Sequence, residues 1–66
     1  MNVWVNGEKR TLSRHSTVGV VVDSLGRGRQ GVAAAVNEAV VPGSQWDQTL
    51  LSENDRVELL TAAQGG

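Results

Sequence analysis

An Asn6-Gly7 step stands between two short segments of strand character, and it commits the start of the chain to a β-hairpin. Both central residues of the tight hairpin turn need positive φ, and Asn-Gly meets that demand at the least steric cost. Ahead of it, Val3-Trp4-Val5 reads as a strand over residues 2–6, and a returning antiparallel strand follows over residues 9–12. Strand side chains alternate, so Val3 and Val5 share one face and Trp4 takes the other. The valines are expected to face the core.

A lone hairpin is marginal in water, so the remaining residues must cover it. The chain has 66 residues, no Cys and one His. A domain this small commonly adds disulfides or a metal, and neither is available from these side chains. One compact apolar core has to suffice. The absence of Cys also means that no thiol of this chain can hold sulfur or an acyl group.

Thr17 reads as a helix N-cap. After it, Val18, Val21, Val22 and Leu25 fall at the i, i+3, i+4, i+7 spacing of one helical face, and Gly26 is the expected C-cap. Gly19 and the valines are poor helix formers, so this short helix should depend on burial against a sheet. Val32-Ala33-Ala34-Ala35-Val36 is bounded by Gly31 and Asn37 and reads as a third strand. Asn37-Glu38 turns the chain into Ala39-Val40-Val41, which Pro42-Gly43 stops. Ser44-Gln45-Trp46 reads as a tight helical turn, with Trp46 as a lid on the edge of the core. After the polar turn Ser52-Glu53-Asn54-Asp55, residues 56–61 form the last strand, with Val57 and Leu59 inward. A hairpin, one helix and further strands make an α+β domain with a mixed sheet over one main helix. If the first and last strands are adjacent and parallel, the helix lies in the crossover between them. The domain is expected over residues 1–61 and a flexible tail over 62–66.

Six basic and seven acidic residues give a net charge of −1. No basic patch suggests nucleic acid, no polybasic run suggests a membrane surface, and no apolar stretch is long enough to span a bilayer. The first residues run directly into the strand pattern without a signal peptide, so a cytoplasmic location is expected. Gly26-Arg27-Gly28-Arg29-Gln30-Gly31 spells G-x-G-x-x-G, but the dinucleotide fingerprint needs a strand before it and a helix after it. Here the order is reversed, and the segment reads as a connecting loop. Its arginines are expected as solvated charges, with an acidic partner surface as the alternative. His15 has no base or nucleophile beside it and reads as a surface or capping residue. No carboxylate pair has the setting for general acid–base work.

What remains is the tail, Ala62-Ala63-Gln64-Gly65-Gly66. It has no charged side chain and no large apolar anchor, so it should project from the domain. Glycine lacks a Cβ, which leaves the terminal carbonyl carbon unshielded and lets the backbone thread a narrow channel. At roughly 3.3–3.6 Å per residue, five residues reach about 15 Å or more. Beside the root of the tail, Trp4 and Leu60 share the outward face with Ala33 and Ala35. This patch is expected either to dock an activating enzyme or simply to seal the sheet.

Several pieces now fall in order along the chain. They are Thr17-Val18 opening the helix, Ala35-Val36-Asn37, Val41-Pro42 followed by Trp46, Asn54-Asp55 before Val57-Glu58-Leu59-Leu60, and the terminal Gln64-Gly65-Gly66. Together they resemble the ThiS family, the ubiquitin-like sulfur carriers of thiamine biosynthesis, over essentially the whole chain. The resemblance implies a ubiquitin-like β-grasp fold with four to five strands. It implies a carrier and co-substrate rather than an enzyme, with no bound cofactor and with Gly66 as the sulfur-carrying residue at the end of Gln64-Gly65. An adenylyltransferase similar to ubiquitin-activating enzymes would use ATP and Mg²⁺ to form an acyl-adenylate on Gly66. A sulfur donor would convert this to a thiocarboxylate, and a thiazole synthase would receive the sulfur. Arg27-Gly28-Arg29 departs from the family pattern in being more basic and glycine-rich. Two alternatives share the fold: the small subunit of molybdopterin synthase, which also ends in a Gly-Gly thiocarboxylate, and a β-grasp interaction domain without tail chemistry.

Overall fold

The computed structural model describes residues 1–62. Strands β1 (Asn2–Val5) and β2 (Glu8–Thr11) form the hairpin, followed by helix α1 (Val18–Asp23), β3 (Val32–Val36), β4 (Ala39–Val41), a 3-10 helix (Gly43–Gln48) and β5 (Arg56–Thr61). The strands make one sheet in the order β2-β1-β5-β3-β4. β1 and β5 are parallel, with Trp4 opposite Arg56 and Val5 opposite Val57, and the other neighbours are antiparallel. The helix therefore lies in the crossover between the first and last strands. This is the β-grasp arrangement, with the core on one face of the sheet. Among the described residues, no helix is long and apolar enough to cross a membrane.

Asn6 and Gly7 have φ of 50° and 84°, as the turn requires, and Val5 pairs with Glu8. β1 and β2 thus each end one residue earlier than the sequence pattern suggests. Asn6 has a second role. Its Nδ2 donates to the carbonyl of Leu59 (3.1 Å) and its Oδ1 accepts from the amide of Leu59 (2.9 Å). The side chain continues the β1–β5 ladder beyond the last strand residue. Asn37, also at φ 50°, does the same from the β3–β4 turn: its Oδ1 accepts from the amide of Arg56 (3.0 Å), and its own amide donates to the carbonyl of Arg56 (2.7 Å).

The core is built from Val3 and Val5, from Val18, Val21 and Val22 of the helix, and from Ala34, Trp46, Leu51, Val57 and Leu59. Leu25 packs against it as the spacing predicts. The Thr17 hydroxyl accepts from the amide of Val20. The helix ends earlier than expected, however. Ser24, not Gly26, is its C-cap, and its hydroxyl donates to the carbonyl of Val21 (2.6 Å). Gly26, at φ 71°, ends the turn that follows. Six residues are too few to persist alone, so the helix depends on its buried valines. Trp46 is more than a lid. It is buried, and its Nε1 donates to the carbonyl of Val41 (2.8 Å), which satisfies the one polar atom of the ring.

The two loop arginines have different fates. Arg29 is exposed but is not merely a solvated charge. Its Nε and Nη2 donate to the two carboxylate oxygens of Asp23 (2.9 Å each), its Nη1 and Nη2 donate to those of Asp47 (3.0 and 2.8 Å), and its guanidinium lies 5.9 Å from the centre of the Trp46 ring. This clamp ties the loop to the end of α1 and to the 3-10 helix. A Cβ at position 19 would push the Asp47 carboxylate and the Arg29 guanidinium out of this arrangement. Hydrogen bonds from Arg29 hold the Asp23 and Asp47 carboxyls below the usual carboxylate range.

Two expectations follow for stability. Glu38 sits at φ 74°, the second position of a tight hairpin turn, where glycine is favoured. The left-handed region costs a residue with a Cβ roughly 1–2 kcal/mol, and glycine loses about 0.5–1 kcal/mol of chain entropy. Glu38→Gly should therefore stabilise the domain by about 0.5–1 kcal/mol, read as a higher urea midpoint with unchanged slope. The clamp gives the second. A carboxyl whose folded pKa is depressed contributes stability above its unfolded pKa, and that contribution is lost as pH falls through the folded value. Arg29→Met should lower the unfolding midpoint near neutral pH. The gap to wild type should narrow below about pH 4 and in high salt.

Candidate functional site

Two features of the sheet converge on the end of β5. The first is the exit of the chain. β5 is the central strand, and it runs past the hairpin on one side of it. Towards β1, the last bonds among the described residues join Asn6 to Leu59, whereas towards β3 the ladder continues through Val32 opposite Thr61. The amide of Ala62 donates to the carbonyl of Gly31 (2.7 Å), so the sheet still grips the first residue assigned to the tail. Gln64, Gly65 and Gly66 lie outside the described residues. The sheet fixes the place of Ala62, because Ala62 is registered on a strand pair anchored in the core.

The second feature is the sheet face opposite the helix. Alternation along β5 puts Val57 and Leu59 inward and Arg56, Glu58 and Leu60 outward. The register sets Leu60 opposite Ala33, and Ala35 lies between Glu58 and Val40. Leu60 is 73% exposed, Val40 78% and Trp4 40%. The structure thus places Trp4 and Leu60 on one face, as expected, but does not bring them together. Trp4 stands opposite Arg56 at the other end of β5. Leu60 lies four positions beyond Arg56, about 13 Å at the rise of a strand. Trp4 instead lines a shallow groove of about 410 Å³ with Gly7, Glu38, Arg56, Val57 and Glu58. The apolar surface nearest the tail is Leu60 with Ala33, Ala35 and Val40. Val40 was not singled out from the sequence, since its outward direction depends on the β3–β4 register.

Elsewhere the described residues offer little chemistry of their own. They contain no group of three or more His, Cys, Asp or Glu side chains able to hold a metal ion. His15, at φ 68°, is exposed in the loop before α1 and lines a separate recess with Met1, Arg14, Leu51 and Glu53. The depressed carboxyls of Asp23 and Asp47 are accounted for by the clamp.

Comparison with known proteins agrees with this geometry. Residues 3–66 match the ThiS family. The chain is 36% identical over 64 residues to a sulfur carrier protein ThiS of Thermus thermophilus, covering 97% of this chain and 98% of that one. It is 27% identical to the sulfur carrier protein ThiS of Escherichia coli over the full length of both. It is also 32% identical to a Paramagnetospirillum magneticum protein named thiazole synthase, of which it spans 20%. The crystal structure of a thiamine biosynthesis protein (ThiS) from Geobacter metallireducens superposes with a TM-score of 0.79 at 28% identity, each chain covering all of the other. With the family matching residues 3–66 and a solved ThiS superposing over the whole chain, the chain belongs to the ThiS family of sulfur carrier proteins.

Proposed function

We propose that this chain carries sulfur for thiazole formation in thiamine biosynthesis, as a thiocarboxylate on Gly66. The observation that carries this reading is the central strand β5, which delivers the chain at Ala62 into a Gly-Gly end within a ThiS-family fold. The chain acts as co-substrate. A carboxylate is a poor electrophile, so a partner adenylyltransferase uses ATP and Mg²⁺ to activate it. An oxygen of the Gly66 carboxylate attacks the α-phosphorus of ATP, pyrophosphate leaves, and an acyl-adenylate results. Sulfur at the oxidation level of sulfide, brought by a donor, then attacks the carbonyl carbon. The carbon–oxygen bond to phosphate breaks, AMP leaves, and a thiocarboxylate remains. Its sulfur is the better nucleophile and passes to a thiazole synthase. The carrier contributes an unhindered glycine carbonyl, and the partners' active sites stabilise the developing charge.

A thiazole synthase as receiver is supported by the relative of that name, part of which aligns with the whole of this chain. The reading places the carrier in the cytoplasm beside its ATP-using partner. The outward face around Leu60 is where the adenylyltransferase docks, since it is exposed, apolar and continuous with the strand that feeds the tail. Trp4 supplies a second contact at the far end of the same face.

Intact mass spectrometry of protein purified from its own cells should find the increment for one oxygen replaced by sulfur, and fragmentation should place it on Gly66. Removal of Gly65 and Gly66 should leave the amide NMR spectrum of the domain unchanged and abolish loading with AMP or sulfur. Loading that survives this deletion would exclude Gly66 as the carrier residue. Leu60→Glu should keep the fold, because the side chain is exposed, yet lower kcat/KM of adenylation by roughly tenfold or more, about 1.4 kcal/mol of lost partner binding.

A further inference from the structure

The loop between α1 and β3 carries two arginines, and the structure separates them. Arg29 is neutralised within the domain by Asp23 and Asp47. Arg27 is exposed and makes no ion pair among the described residues. It lies between Gly26 and Gly28, at φ 71° and 76°, a left-handed path that residues with a Cβ adopt only at a cost. The clamp on Arg29 fixes the far side of this bend, so Arg27 is presented rather than trailing. It lines a recess of about 560 Å³ with Gln30, Gly31, Val32, Thr61 and Ala62. That is the ground from which the tail departs.

We propose that Arg27 is a docking contact for acidic side chains at the mouth of the adenylyltransferase channel that receives the tail. The proposal rests on the carrier reading given above. Distance chooses the mouth of the channel over its chemistry. Gly66 lies four residues beyond Ala62, which extends to about 13 Å. When the terminal carboxylate is at the reacting phosphate, Arg27 is therefore held back at the rim. A lone guanidinium there complements carboxylates, and a rim charge acts on the rate of encounter more than on the bound complex. The loop's excess of basic residues then acquires a division of labour: Arg29 holds the loop and Arg27 meets the partner.

The test uses the full chain with the adenylyltransferase of the same organism, read by pyrophosphate exchange that depends on the carrier. Arg27→Glu should lower kcat/KM by roughly tenfold or more at about 0.01 M salt, where charges act over roughly 30 Å. The deficit should shrink at high salt, and kcat at saturating carrier should stay within about twofold of wild type. Arg14→Glu makes the same change in net charge at the opposite end of the sheet, where the starts of β1 and β5 meet through Asn54 and Asn2. It should match wild type. Amide spectra of both variants should show the unaltered fold. A normal kcat/KM for Arg27→Glu, or an equal loss in Arg14→Glu, overturns the proposal and leaves the carrier reading standing. Failure of wild type itself to support exchange overturns both.

Discussion

Two asparagines hold the central strand in place, and the position of Ala62 depends on that strand. Asn6 and Asn37 are turn residues of the two hairpins, both at positive φ, and each bonds β5 from one side. Asn6 exchanges two hydrogen bonds with Leu59 through its side chain, as a peptide group would in a ladder. Asn37 bonds Arg56 with one backbone and one side-chain group. The pairing of β1 with β5 joins residues more than fifty positions apart, and such non-local pairing carries a loop-closure cost before any contact rewards it. The bonds from Asn6 extend the short parallel ladder and lock its register, and those from Asn37 extend the antiparallel ladder on the other side. Once that register is set, Val57 and Leu59 can only point into the valine core, Glu58 and Leu60 only away from it, and the chain leaves at Ala62.

The loop after the helix shows how the same residue type serves two ends. Arg29 is surrounded by acceptors because α1 ends at Asp23 and the 3-10 helix brings Asp47 beside it. A Cβ at Gly19 would displace the ends of both side chains, the Arg29 guanidinium and the Asp47 carboxylate. An exposed ion pair alone contributes little. A planar guanidinium bonded to two carboxylates and lying over an indole is a geometric device as well, since it fixes a glycine-rich segment against two other elements. Arg27 has none of these partners among the described residues and lies against the exit of the tail.

Much of this was legible beforehand from local chemistry. Asn6-Gly7 named the turn, period-two alternation named the inward valines, and Val18, Val21, Val22 and Leu25 named the buried stripe of the helix. Gly26 looked like the cap because glycine favours left-handed backbone, yet Ser24 satisfies the helix end two residues sooner. Trp46 looked peripheral because its neighbours in sequence are polar, yet folding places the carbonyl of Val41 where its N–H can reach. Arg29 looked solvated because Asp47 is eighteen residues away. Trp4 and Leu60 looked adjacent because strand alternation assigns a face but says nothing of position along it.

The residue order alone sufficed for the element types and the inward faces. Those follow from backbone sterics and side-chain period, which act within a few residues. The register of β1 against β5, the partners of Arg29 and the placement of Arg27 beside Ala62 required the folded chain. They arise from contacts between segments far apart in sequence, whose relative placement is set only when the core closes and every buried polar group must find its partner.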